Sequence, residues 1–188
     1  MAETNLVEQR AWRAFEADNY EEAARLYEPL AARGSETALL NLGWMYNNGH
    51  LGPPDREKAM SLWEEAAKGG SATAKHFLGV AWKQKGDLQR ARALFIEGAE
   101  LGHKACMSKA GKMLVRGEGG EADSQAGVAW LVRAADSGQI FAQRELMRLE
   151  IQNSRSLLGR LWLYCKVIWN TLASIPRFIR NPYSDDFY

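Results

Sequence analysis

Histidine is scarce in this chain, with three in 188 residues, and cysteine is scarcer, with two. Cys106 and Cys165 are too few and too far apart to form a disulfide framework, so both are expected as free thiols in a reducing cytoplasm. The histidines, His50, His76 and His103, are the only side chains that titrate near neutral pH without help. His103 and Cys106 could place two metal ligands on one helical turn, but a zinc site needs three or four, and no second pair has suitable spacing. The start, "MAETNLVEQRAWRAF", lacks the basic stretch and apolar run of a secretory leader, so none is expected. No nucleophile motif stands out, and no carboxylate pair falls outside the repeat described below. The glycine-rich "GKMLVRGEGGEADS" (111–124) lacks the Gly-Lys-Ser/Thr ending of a phosphate loop and follows a helix instead of a strand. It reads as a long hairpin loop. No catalytic residue, cofactor or metal is expected.

What is present is an ordinary globular composition, 46% hydrophobic and 25% charged. The net charge of +1 is unevenly spread. Residues 1–72 carry 7 basic and 12 acidic groups, residues 73–153 carry 12 and 9, and residues 154–188 carry 5 and 2. The chain is therefore acidic at one end and basic at the other. The first 153 residues sum to −2 with no concentrated basic stripe, so nucleic acid is not an expected partner.

Most of the chain repeats itself. Ala23, Ala59, Ala91 and Gly127 are each followed four residues on by Tyr27, Trp63, Phe95 and Leu131, and four further on by Ala31, Ala67, Ala99 and Ala135. Three residues later come Gly34, Gly70, Gly102 and Gly138; four after those, Ala38, Ala74, Cys106 and Ala142. Leu42-Gly43, Leu78-Gly79 and Ala110-Gly111 complete the pattern, at intervals of 36, 32 and 36 residues. Apolar residues at i, i+4 and i+8 draw a stripe on one helix face. The alanines admit a neighbouring backbone, the bulky residue fills the gap opposite, and the glycine supplies a left-handed helix stop. The product is a series of stacked helix hairpins.

These positions resemble a known family. "ALLNLGWMYNNGHLGPPDREKAMSLWEEAAKGGSATA" (38–74) is similar to a Sel1-like repeat, with Ala38, Leu42, Gly43, Tyr46, Gly49, Asp55, Lys58, Ala59, Trp63, Ala66, Ala67 and Gly70 on pattern. Residues 106–142 form a weaker copy, with Cys106 and Ala110 replacing the alanine and leucine. Residues 5–34 and 74–102 have shorter loops and look more like plain tetratricopeptide units. The resemblance implies an all-α, right-handed α-solenoid of about four hairpins over residues 1–150, serving as a protein-interaction scaffold. It further implies that the first helix of each hairpin lines a concave groove. The groove candidates are then Gln9, Trp12, Arg13 and Glu16; Asn41, Trp44, Met45 and Asn48; Phe77, Val80 and Gln84; and Lys109, Lys112, Met113 and Arg116. Amides can bond a peptide backbone, Trp, Met and Phe can anchor its side chains, and the basic end favours an acidic segment. The alternative is that Trp12, Trp44 and Phe77 only pack against the next helix. The expected role is a cytoplasmic adaptor for a protein or peptide, with an enzyme or small-molecule binder as the weaker alternative; nothing in the sequence indicates its oligomeric state.

Residues 151–180 form a further segment, in which 154–180 holds five Lys or Arg and no acid. As a helix over 155–175, it gathers Leu157, Leu158, Leu161, Trp162, Tyr164, Cys165, Ile168, Trp169, Leu172 and Ile175 on one arc, and Pro176 ends it. Arg160 and Lys166 lie inside the stretch and argue against a membrane span. Two readings stay open. The helix caps the apolar end of the stack, or it lies on an anionic membrane surface, at the cytoplasmic face, through Arg160, Trp162, Lys166, Trp169 and Arg177. Residues 181–188 read as a flexible tail.

Overall fold

The computed structural model describes residues 2–153 together with Cys165, Ile168 and Trp169. Over residues 2–153 it is an all-α repeat solenoid of nine helices, with no strand among the described residues. They are α1 (Ala2–Glu16), α2 (Tyr20–Ala31), α3 (Glu36–Asn48), α4 (Arg56–Lys68), α5 (Ala72–Gln84), α6 (Leu88–Glu100), α7 (Lys104–Arg116), α8 (Ser124–Asp136) and α9 (Ile140–Asn153). The chain divides into two compact units, Met1–Gln84 and Lys85–Tyr188, with the division between α5 and α6. In the first, α1 packs on α2, α2 on α3, α3 on α4 and α4 on α5. In the second, α6 packs on α7, α7 on α8, and α9 on both α7 and α8.

Polar side chains start the helices. Asn19, Ser35, Asp55, Ser71, Asp87, His103 and Asp123 each accept a hydrogen bond from the backbone N–H three residues on, at 2.9–3.4 Å. Each satisfies a donor that the helix cannot. His103, weighed above as half of a metal pair, thus serves as a cap: its Nδ1 accepts from the Cys106 amide at 3.3 Å. The repeat glycines stop the helices as expected, with φ of +78° at Gly34, +91° at Gly70, +88° at Gly102 and +94° at Gly138. Each donates to the carbonyl three residues back, and the next residue reaches back five. Such a left-handed turn costs least at glycine.

The stripe residues make the core. Tyr27, Phe95 and Leu131 are fully buried, as are Ala38, Ala74, Cys106 and Ala142. Large meets small across each long-loop hairpin. A Cβ on Gly43 would stand 2.3 Å from Trp63 Nε1, and one on Gly111 would stand 2.8 Å from both the Gly127 carbonyl oxygen and Leu131 Cγ. The two long loops share one hydrogen-bond pattern. His50 N–H donates to the Met45 carbonyl and Asp55 N–H to that of Tyr46; Glu118 N–H donates to Met113 and Asp123 N–H to Leu114. Gly49 and Gly117 take the left-handed turn at φ +74° and +67°. The loop expected over 111–124 is thus shorter: residues 111–116 finish α7, Ser124 begins α8, and 117–123 is the counterpart of the 49–55 loop.

Candidate partner-binding surface

The surface is built from α1. Glu8, Gln9, Trp12, Arg13 and Glu16 line a cleft of about 430 Å³ with Thr37, at the start of α3. Four of these six are groove candidates from the sequence, and Trp12 is 44% exposed. Ser35 Oγ donates to Glu8 Oε1 at 3.2 Å, tying the cleft to the cap of α3.

Trp12 also begins a ridge of connected rings. Trp12 stacks on Phe15 with centroids 5.7 Å apart, and Phe15 meets the edge of Trp44 at 5.3 Å. Tyr20 stands against Phe15 and Trp44 at 5.7 and 6.1 Å, and His50 lies 4.0 Å from Tyr20 and 4.8 Å from Trp44. Tyr20 donates to the Asp18 carboxylate, which raises its phenol pKa. Below the ridge, Asn41 Nδ2 donates to Tyr27 Oη at 3.0 Å. Tyr27 is raised by burial; the Asn41 bond opposes this, and the charges of Glu8 and Glu16 add to it. Asn48, exposed, donates to the Trp44 carbonyl.

Not every expected groove residue reaches a surface. Met45 is fully buried and Met113 is 2% exposed, which removes both from the contact set. Each stands three residues after a stripe position, Leu42 or Ala110, and so faces the inside of its hairpin. Phe77 packs on Trp63 of α4, ring centroids 5.1 Å apart, and Val80 is half-buried; Gln84 is exposed at the end of α5. In the second unit, Lys112 is exposed and Lys109 lies over the Phe95 ring at 5.9 Å. Arg116 pairs with Glu145 at 2.7 Å and approaches Glu118 at 3.8 Å, while Arg148 also reaches Glu145, at 3.5 Å. The basic end expected to attract an acidic segment thus has two carboxylates of its own.

Phe15, Tyr20, Glu8 and Thr37 are not marked by the sequence, and His50 is marked there only as a histidine, not as part of the groove. Phe15 lies off the stripe, Tyr20 opens a second helix, and His50 lies in a loop, so no periodicity marks them. A second cleft, of about 300 Å³, opens between α2 and α4, with Leu39, Leu42 and Leu62 as apolar lining and Glu28, Lys58 and Glu65 among its charged lining. Lys58 Nζ donates to Tyr46 Oη at 2.6 Å there. Of the membrane-interface candidates, Arg160, Trp162, Lys166 and Arg177 lie outside the described residues. Trp169 is helical and 73% exposed, beside Ile168 at 58%. Among the described residues no helix is long and apolar enough to cross a membrane, and no three His, Cys, Asp or Glu converge as a metal site.

The fold recurs in solved structures. A Sel1 repeat protein from Oxalobacter formigenes is similar with a TM-score of 0.75 and 21% identity, over 85% of this chain and 69% of that one. The c5321 protective antigen of uropathogenic Escherichia coli, described as displaying an SLR fold, is similar with a TM-score of 0.75 and 23% identity. That match covers 87% of this chain, which spans only 38% of the antigen. No curated protein matches the chain. The Sel1 repeat matches at residues 16–35, 37–71, 74–103 and 104–139, taking in the short-loop hairpin of 74–102 and, of the one at 5–34, the second helix only. With more than half of its residues in these four matches, the chain belongs to the Sel1 repeat family.

Proposed function

We propose that this protein is a non-catalytic scaffold that binds a protein or peptide segment on its N-terminal unit, along the cleft and aromatic ridge of α1 and α3. Sel1 repeat proteins generally mediate protein–protein contacts, which supports the class of function. The observation that carries the site is the continuity of the ridge. Trp12 is at once a wall of the cleft and the first of five rings ending at His50. Tryptophan and tyrosine supply large contact area at little conformational cost, as binding hot spots require. Affinity purification of the full-length protein, followed by titration of each identified partner, tests this reading. Trp12→Ala with Trp44→Ala is expected to weaken binding at least tenfold, and unchanged affinity would refute the site.

A second reading, docking on the cytoplasmic face of a membrane through residues 155–180, is favoured by one observation. Ile168 and Trp169 are adjacent, helical and largely exposed, in a stretch without acidic residues. A large apolar ring held in water beside basic residues suits an anionic lipid interface. Vesicle cosedimentation tests it, as set out in the Discussion.

A further inference from the structure

We infer that the α1 cleft is a receptor for one lysine or arginine side chain of the partner segment, seated on the Trp12 ring between Glu8 and Glu16. This deepens the scaffold reading and rests on it.

The arrangement follows from helical spacing. Glu8, Trp12 and Glu16 stand at i, i+4 and i+8 in α1, so a carboxylate, an indole and a second carboxylate follow one another along one side of the helix. All three line the same cleft. The charges of both carboxylates also raise the phenol of Tyr27 in the neighbouring α2. Glu8 is further held by Ser35 Oγ.

A cation over an indole gains from the ring quadrupole, and tryptophan is the strongest aromatic partner for it. Flanking carboxylates add charge-assisted hydrogen bonds, which a guanidinium can take up at two nitrogens. Arg13 supplies one positive charge to the cleft against the two carboxylates, leaving it net negative. The surroundings act the same way: residues 1–84 carry 9 basic and 12 acidic groups, a net −3. An acidic segment would meet repulsion here, and a neutral apolar one would forgo the carboxylates.

The test uses the full-length protein with its tryptophan indoles labelled with ¹⁵N. One probe is a nine-residue Gly/Ser peptide with a central Leu-Arg-Leu; the other has citrulline, similar in shape but uncharged, in place of arginine. The arginine peptide is expected to shift the Trp12 indole signal and to bind roughly tenfold more tightly than the citrulline peptide. Glu8→Gln with Glu16→Gln should abolish that difference, and Glu16→Gln alone should reduce it while leaving the Ser35 contact untouched. Raising the salt should weaken the arginine peptide selectively. Equal binding of the two peptides, a preference that survives the double substitution, or no binding of the arginine peptide would each overturn the inference. These failures are separable from failure of the scaffold reading, which turns on identified partners and the Trp12 and Trp44 substitutions.

Discussion

At Cys106 the repeat replaces an alanine with a thiol and leaves it nowhere to ionise. The side chain is fully buried, and burial pushes the thiol up to about 12, with Lys109 pulling weakly the other way. In the unfolded chain the same thiol ionises near about 8.5. Between those values only the unfolded state gives up its proton, so folding stability is fully present below pH ~8.5 and falls as the pH rises toward 12. Urea unfolding from pH 8 to about 9.5, kept below the ordinary phenol value near 10 at which unfolded tyrosines ionise ahead of the raised Tyr20 and Tyr27, should show this loss. Cys106→Ala, which restores the residue found at Ala38, Ala74 and Ala142, should flatten it; an identical slope in the variant would assign the effect elsewhere. The cysteine's place in the repeat was readable from spacing alone, because a core position is defined by its register. Its capping neighbour His103 was not, since the bond from the Cys106 amide depends on a backbone turn that only the folded helix end creates.

Among the helices, the long-loop pairs α3–α4 and α7–α8 depend on how closely two backbones approach. Helix propensity predicts that Gly→Ala inside a helix stabilises by about 1 kcal/mol. At Gly111 the opposite is expected. The added methyl would meet the Gly127 carbonyl at 2.8 Å, which is backbone and cannot rotate away. Gly111→Ala should therefore cost about 1–3 kcal/mol in urea or thermal unfolding. A gain would mean that α7 and α8 can separate freely. This layer of the fold was legible in the sequence: glycine and alanine facing Tyr, Trp, Phe or Leu at fixed offsets is a statement about interhelical distance. The groove was less so. Asn41, Trp44, Met45 and Asn48 share one helix, yet Met45 turns inward, Asn41 bonds the buried Tyr27, and Trp44 joins the rings. Hairpin periodicity identifies the inner face, whereas the outer face depends on which neighbour each side chain happens to meet.

Across the whole chain the dominant feature is charge: residues 85–188 carry 15 basic and 11 acidic groups, against the net −3 of residues 1–84. The two proposals, a basic side chain on the first unit and anionic lipid at the last segment, both draw on that separation and are compatible with each other. The lipid arm has its own test. Full-length protein should cosediment with anionic vesicles more than with neutral ones, and lose that excess at high salt and on Trp162→Ser with Trp169→Ser. Undiminished sedimentation of the double variant would eliminate the membrane reading. Read as a string, the chain already determines helices, hairpin lengths, core stripes and family, because those follow from local periodicity and from glycine where the backbone turns left-handed. The tertiary structure decides which polar and aromatic side chains become a surface. It brings Trp12, Phe15, Tyr20, Trp44 and His50 into one ridge, puts Glu8 and Glu16 in one cleft, and pairs Arg116 with Glu145. Those contacts join residues as far apart as Tyr20 and His50, 30 positions, well beyond the reach of one helix's periodicity, so only packing the helices could reveal them.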